Sequence, residues 1–170
     1  MKYNLVYFGN ETLAKAAEDV QTIDGRIIDL INSMYEVMRK HNGIGLAAPQ
    51  VGENDRIIVV DTREKDGSPF ALINPVIREK SEQLCDYEEG CLSLPNIAAA
   101  ISRPEEIVVT GISPEGKEVR IEAKDLLARV LQHEIDHLDG KLFIDHLEQW
   151  QRDELRFQLK KIKKLNKPEL

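Results

Sequence analysis

The sequence DLLARVLQHEIDHLDG occupies residues 125–140 and predicts an amphipathic helix over residues 125–139. Two apolar stripes lie side by side along it, one made of Leu126, Val130, His133 and His137, the other of Leu127, Leu131, Glu134 and Leu138. Gly140 follows at the position where a left-handed residue commonly ends a helix. Because both stripes must be buried, we expect this helix at the centre of the fold.

His133 and His137 predict a metal site on this helix. Four residues separate them, so their imidazoles point the same way, one turn apart, and can share a metal ion. Glu134 lies at the rim of the same face, where it can take a proton from metal-bound water. The pattern could also arise by chance, but an unpaired imidazole is costly to bury on an apolar stripe. We therefore favour a metal site with Glu134 as its base.

A catalytic site of this type needs a third protein ligand. One large class of zinc proteases extends the motif to His-Glu-x-x-His-x-x-Gly-x-x-His, and Phe143 in place of the last histidine excludes that class. The remaining candidates are His146, Glu148, Glu154 and Cys91. Cys91 follows Gly90 in the segment EEGCLSLP, where Gly and Pro predict irregular backbone, but free cysteines are often just buried apolar residues. The other cysteine, Cys85, is expected in the core.

The rest of the chain predicts one α+β domain of mostly antiparallel strands packed around the metal-binding helix. Residues 24–41 predict a helix capped by Asp24, with Ile27, Ile31, Met34 and Met38 on one face. Strands are expected at 56–61, 70–79, 106–112 and 118–122, the last two joined as a hairpin by the turn SPEG. A C-terminal helix is expected from near Leu147 to Leu165, before Pro168.

An apolar loop, GIGLAAPQVG, is expected at residues 43–52. Its glycines superficially match a dinucleotide-binding fingerprint, but that fingerprint follows a strand and opens a helix, whereas this loop follows a helix and leads into a strand. The loop instead offers backbone groups that a peptide could pair with. Gln50, among apolar neighbours, is either a structural hydrogen-bonding residue or a donor to a developing oxyanion.

Composition narrows the class of protein. The 170 residues suit one domain, and they contain neither a 20-residue apolar run nor a signal-peptide pattern, so we expect a cytoplasmic protein without a membrane partner. Against 23 basic residues there are 30 acidic ones, a net charge of −7 that argues against bulk affinity for nucleic acid, and no sequence-specific nucleic-acid binding is expected. Residues 151–170 differ, with seven basic and three acidic side chains. This tail is either a docking element or a solvated helix that aids solubility.

Three segments together resemble the signature motifs of the peptide deformylase family. They are GIGLAAPQ at 43–50, EGCLS at 89–93 and QHEIDH at 132–137, in the family's order and spacing. The resemblance extends from about Leu5 to His146. It implies that Cys91 joins His133 and His137 as metal ligands. It also implies one divalent metal ion, most often Fe²⁺, which Zn²⁺, Ni²⁺ or Co²⁺ can replace.

The resemblance also implies an activity and residue roles. The family hydrolyses the N-formyl group of N-formylmethionyl nascent peptides and releases formate. By resemblance, Glu134 is the general acid and base, while the Gln50 side chain and the Leu92 N–H polarise the formyl oxygen. The backbones of Ile44, Gly45 and Gly90 would bind the peptide as an added strand. The chain departs from many relatives at Asn96 and Ala98, where they have glycine and a large residue, which thins one wall of the peptide groove.

We therefore expect a catalytic domain at residues 1–150, with residues 151–170 as a basic helical tail of the same domain that either docks on the ribosome or is a solvated helix. Two other functions are compatible with parts of the sequence. A metallopeptidase would share the histidine motif but would use a third ligand other than cysteine. A non-catalytic ribosome-binding protein would need only the basic tail.

Overall fold

The computed structural model describes residues 3–65 and 67–166. The α-helices are α1 (Gly25–Lys40), α2 (Asp125–Leu138), α3 (Gln149–Glu154) and α4 (Arg156–Lys163). The strands are β1 (Gly45–Ala47), β2 (Ile57–Val60), β3 (Phe70–Lys80), β4 (Leu84–Cys91), β5 (Leu94–Pro104), β6 (Glu106–Ile112) and β7 (Glu118–Lys124). Short 3₁₀ helices occur at Glu11–Ala14, Ala48–Val51, Phe143–His146 and Lys164–Asn166.

The strands form two antiparallel sheets, one with the order β1-β2-β3-β6-β7 and the other made of the β4–β5 hairpin. Strand β2 shows how the larger sheet is covered. Ile57 and Val59 pack in the cluster that contains α1, whereas Ile58 and Val60 pack in the cluster that contains α2. Because helices cover both faces, all four residues of β2 are buried. The expected α+β fold, with antiparallel strands around α2, is confirmed.

Both long helices begin and end close to the residues that the sequence indicates. The Asp24 side chain caps α1 by accepting a hydrogen bond from the Ile27 N–H (3.1 Å). Gly140 follows α2 with a φ of +74°, and a Cβ there would lie 2.9 Å from the Ala14 carbonyl oxygen. Only glycine satisfies both the left-handed backbone and this close approach.

A third apolar cluster joins the β4–β5 hairpin to the C-terminal helix. Leu94, Ile97 and Ile101 of β5 pack in it with Leu155, Leu159 and Ile162, which hold the C-terminal segment on the domain. The helix is not continuous, however, because α3 and α4 are separated at Leu155. The expected end at Pro168, and the tail residue Lys167, lie outside the described residues.

Three other expectations need correction. Strands β4 and β5 were not predicted. Strand β4 is polar and only its Glu89 is buried, so it lacks the apolar alternation that reveals a strand. The expected loop at 43–52 contains strand β1 and a 3₁₀ helix. The placement of Cys85 in the core is wrong, since its side chain is exposed on β4.

None of the helices within residues 3–65 and 67–166 has the length and apolar character that crossing a membrane requires.

A metal centre at the end of a peptide-sized cleft

A cleft of about 840 Å³ lies between the edge of β1, the edge of β4 and one face of α2. Its lining includes Gly43, Ile44 and Gly45 on one side, Gly90, Cys91 and Leu92 on the other, and Val130, His133 and Glu134 from α2. All three sequence motifs therefore meet at one cavity. Its volume is in the range of small-molecule and peptide sites.

Three side chains converge at the inner end of this cleft. One ligand atom each from Cys91, His133 and His137 lie within 4.8 Å of one another, and the Cys91 Sγ is 3.3 Å from the His137 Nε2. Cys91 reaches this point because β4 ends there. The other candidates for the third ligand lie elsewhere: His146 pairs with Asp136 (2.8 Å), and Glu148 and Glu154 are exposed.

The donor set fits a divalent transition metal ion. A thiolate and two imidazoles suit iron or zinc, and three protein ligands leave a coordination position for water or substrate. Burial and the nearby His133 hold the pKa of His137 well below its ordinary value, so this imidazole is in the neutral form that binds a metal. For His133, burial lowers the pKa, but hydrogen bonds with Cys91 and Glu89 raise it well above the ordinary value. A metal ion held by His133 would therefore displace a proton from this imidazole.

Two neighbours fix the orientation of His133. Its Nδ1 lies 2.9 Å from the Glu89 Oε1, which directs the Nε2 towards the other two ligands. The ring of Phe143 stacks against the imidazole with centroids 6.0 Å apart. Phe143 thus occupies the place of the third histidine of the excluded protease class and supports a ligand instead of being one.

Glu89 is the centre of a buried charge network that the sequence analysis missed. The Arg103 guanidinium donates to both carboxylate oxygens (2.6 and 3.0 Å), and Arg129 donates to Oε2 (2.7 Å). Burial alone would raise the pKa of Glu89, but the hydrogen bonds from His133 and Arg103 lower it far below its ordinary value. The available signal was its position two residues before Cys91, because alternate residues of a strand share a face.

Glu134 is buried against the cleft. Its Oε1 is buried and has no hydrogen-bond partner within the described residues, and burial raises the pKa of this carboxyl to about 7. Gly45 faces it so closely that a Cβ would lie 2.7 Å from the Glu134 Oε2. Glu134 follows His133 directly, and a carboxyl with an unpaired oxygen and a pKa close to neutral pH is suited to accept a proton.

Gln50 is held with its amide nitrogen towards the ligands. The Oε1 accepts a hydrogen bond from the Ala47 N–H (2.9 Å), and the Nε2 donates to the Ser93 hydroxyl (3.2 Å) and lies 3.6 Å from the Cys91 Sγ. Leu92 immediately follows Cys91 in the turn between β4 and β5. Gln50 and Leu92 therefore both lie next to Cys91, and both line the cleft.

The edges of β1 and β4 border the cleft on opposite sides. The Ile44 carbonyl already accepts a hydrogen bond from the Asp61 N–H (2.8 Å), on the side that pairs with β2. Successive residues of a strand alternate, so the backbone groups of Gly45 face the open edge of β1. Gly90 lies opposite, on β4, and its partner in the hairpin is Ala98.

Asn96 and Ala98, where the chain departs from many relatives, are both exposed residues of β5. Asn96 has a φ of +65°, a conformation that glycine adopts freely and that asparagine tolerates better than most residues. This explains how the position accepts either residue. Asn96 lines the cleft, as do its neighbours Pro95 and Ile97.

Comparisons with known proteins agree with this geometry. The family model for polypeptide deformylase matches residues 2–153. A curated peptide deformylase of Thermodesulfovibrio yellowstonii is 48% identical over 155 residues, which cover 90% of this chain and 93% of that protein. The crystal structure of a Legionella pneumophila peptide deformylase superimposes with a TM-score of 0.89 at 38% identity, covering 99% of this chain and 100% of that one.

A peptide deformylase from Ehrlichia chaffeensis in complex with actinonin is also similar, with a TM-score of 0.88, 36% identity, and coverage of 98% of this chain and 99% of that one. The match to the family model and the sequence identities over nearly the whole chain support the same conclusion. This chain belongs to the peptide deformylase family of metal-dependent hydrolases.

Proposed function

We propose that the chain hydrolyses the formyl group from N-formylmethionyl peptides and releases formate, with Cys91, His133 and His137 holding one divalent metal ion. When bound, such an ion lowers the pKa of a coordinated water and polarises the formyl carbonyl. The observation that carries the proposal is the convergence of these three ligand atoms within 4.8 Å at the inner end of the cleft.

Glu134 moves the proton. Its Oε1 has no partner within the described residues, and a pKa of about 7 allows it both to accept a proton and to return it near neutral pH. The attacking water gives its proton to this carboxylate, which then delivers it to the departing amine. The amine leaves as the new N-terminus of the peptide.

Gln50 and Leu92 bind the formyl oxygen. The Gln50 Nε2 and the Leu92 N–H are donors beside Cys91, where negative charge develops as the formyl carbon becomes tetrahedral. Hydrogen bonds to Ala47 and Ser93 hold the Gln50 amide in place, so little reorganisation is needed during the reaction. This arrangement favours oxyanion binding by Gln50 over a purely structural role.

The peptide lies between β1 and β4 as an added strand. Gly45 and Gly90 offer backbone groups on facing edges. The Ile44 carbonyl is already paired with the Asp61 N–H, so Ile44 contributes its side chain beside them. The methionine side chain packs against the apolar wall formed by Ile44, Leu126 and Val130. We place this activity in the cytoplasm, where nascent chains emerge from ribosomes.

We propose Fe²⁺ as the metal, and one experiment tests both the activity and the ion. Protein purified anaerobically and loaded with either Fe²⁺ or Ni²⁺ should release formate from a formyl-Met peptide. In air, the iron form should lose activity much faster than the nickel form, because ferrous iron oxidises beside an oxidisable thiolate. Formate release is measured over time in air and under anaerobic conditions.

Each possible failure has its own meaning. Absence of formate with every metal would overturn the proposed activity and leave the chain a non-catalytic member of the family. Equal lifetimes of the two forms in air would leave the activity intact and remove the case for iron. Cleavage of internal amide bonds instead of formyl groups would identify a metallopeptidase.

We further propose that residues 1–150 form the catalytic part of the domain and that residues 151–170 dock on ribosomal RNA, which would raise the local concentration of substrate. Leu155, Leu159 and Ile162 pack inward, which leaves the basic side chains of α4 exposed. Lys163 differs from the others, because its stem packs over Gly9 and its ammonium lies over the ring of Phe8 (5.3 Å).

This packing decides how docking should be tested. A chain truncated near Gln151 would lose the stripe that packs in the same cluster as Cys91, so a charge variant is the better choice. Changing Lys160, Lys161 and Lys164 together to glutamine should weaken co-sedimentation with ribosomes and flatten its dependence on salt, while formate release from short peptides stays unchanged.

The matched control changes three exposed lysines elsewhere, Lys80, Lys117 and Lys124, to glutamine. If both triple variants co-sediment equally with ribosomes, the tail has no docking role and its charge serves solubility.

A further inference from the structure

The loop after β2 holds the backbone that leads into the peptide-binding edge. The Asp61 N–H donates to the Ile44 carbonyl (2.8 Å), and the Arg63 Nη2 donates to the Gly43 carbonyl (3.1 Å). Two consecutive carbonyls just before Gly45 are therefore fixed by two residues of one loop. No motif in the sequence analysis included Arg63.

Gly43 has little room to adjust if one of these contacts is lost. Its N–H donates to the Met38 carbonyl at the end of α1 (2.9 Å), and a Cβ on Gly43 would lie 2.9 Å from the Cδ1 of Leu92. Gly45, two residues further on, is in similarly close contact with Glu134. A shift of the Gly43 carbonyl would therefore be transmitted to Gly45, at the open edge of β1 beside Glu134.

The backbone of Arg63, whose side chain donates to the Gly43 carbonyl, is strained. Its φ is +59°, a left-handed conformation that is unfavourable for any residue with a Cβ. The Asp61 side chain supports this conformation by accepting a hydrogen bond from the Arg63 N–H (3.1 Å). Glycine would fit this backbone better, so an arginine here suggests that its side chain has a function.

We propose that Arg63 is a positioning residue for peptide binding, acting through the carbonyl of Gly43 to hold the β1 edge in register with the metal centre. The inference rests on the proposed function, because it assumes that the substrate pairs with Gly45. A substrate that extends along β1 depends on this register, whereas formylmethionine alone makes few contacts with the edge. Arg63 therefore affects long substrates more than short ones.

The variant R63G tests the proposal without endangering the fold, because glycine relieves the left-handed backbone while removing the guanidinium. For a formyl-Met tetrapeptide, we expect KM to rise about two- to tenfold, the size of one lost hydrogen bond, with kcat unchanged. For N-formylmethionine, KM and kcat should both match those of the wild-type enzyme. R63K, which retains a donor, should recover part of the loss.

The control is K65A, which removes a basic charge from the same exposed loop. K65A should leave both KM values unchanged. Equal effects of R63G on the two substrates, unchanged KM in R63G, no recovery in R63K, or a K65A phenotype like that of R63G would each overturn the positioning role. If the wild-type enzyme releases no formate from either substrate, the proposed activity is wrong. That failure would be distinct from any effect of replacing Arg63.

Discussion

The variant E134Q is expected to retain one metal ion per chain while its kcat for formyl-peptide hydrolysis falls by about 10²–10⁴-fold, the usual contribution of a general acid and base. Glutamine has the size of glutamate, so it keeps the close packing against Gly45 that shortening the side chain would disturb. An amide cannot accept the proton of the attacking water or return it to the amine. The measurements are formate release under saturating substrate and metal content by elemental analysis.

The metal content of E134Q distinguishes whether Glu134 is a proton carrier or a metal ligand. Cys91, His133 and His137 converge without it, so their affinity for the ion should change little in E134Q. Loss of the metal together with the activity would place Glu134 among the ligands and contradict its role as a proton carrier. A kcat within a few fold of the wild-type value would show that another group moves the proton.

Local spacing explains how much of this site could be predicted. His133, Glu134 and His137 lie within five residues of one helix, so helical periodicity alone places them together. Cys91 is 42 residues before His133, and no local pattern distinguishes a ligand from a buried cysteine at that distance. Its assignment therefore depended on the resemblance of three motifs to a family, and the structure independently brings the thiol to the histidines.

The residues that the sequence did not reveal act through tertiary contacts. Arg103 comes from β5 and Arg129 from α2, and they meet at Glu89 only because the hairpin packs on the helix. Strand β4 was missed for the same reason, since its buried residue is a charged one whose partners lie elsewhere in the chain. Polar residues that are buried in pairs give no hydrophobic signal, so periodicity cannot find them.

Replacing Glu89 should have large effects on both stability and metal affinity. The variant E89A removes the shared partner of two buried guanidinium groups, and breaking a buried pair in this way costs about 3–5 kcal/mol of unfolding free energy. Asp136 still pairs with Arg103 (2.8 Å), so we expect the lower end of that range. Loss of the acceptor for the His133 Nδ1 should also weaken metal binding by about 10–100-fold. Denaturant unfolding of the metal-free protein and competitive metal titration measure the two effects.

The variant E89Q separates the effect on metal affinity from the effect on stability. Its amide oxygen still accepts a hydrogen bond from His133, but the negative charge is gone. Its metal affinity should exceed that of E89A, although its stability remains below that of the wild type. The folded-state pKa of Glu89 is lowered, so its charge stabilises the fold fully above the unfolded-state pKa of about 4.3. This stabilisation decreases progressively as the pH falls from that value towards the folded-state pKa. The stability difference between the wild type and E89Q should therefore narrow in acid.

The neighbouring residue provides the matched control for stability and metal content. Glu88 lies in the same motif but is exposed on the opposite face of β4, so E88Q should change the unfolding free energy by no more than about 0.5 kcal/mol. If E88Q and E89Q were equally stable, the buried network around Glu89 would contribute nothing beyond a surface charge. If E89A lost stability but bound metal as tightly as the wild type, the hydrogen bond to Glu89 would not orient His133, and Phe143 stacking alone would have to hold the ring in place.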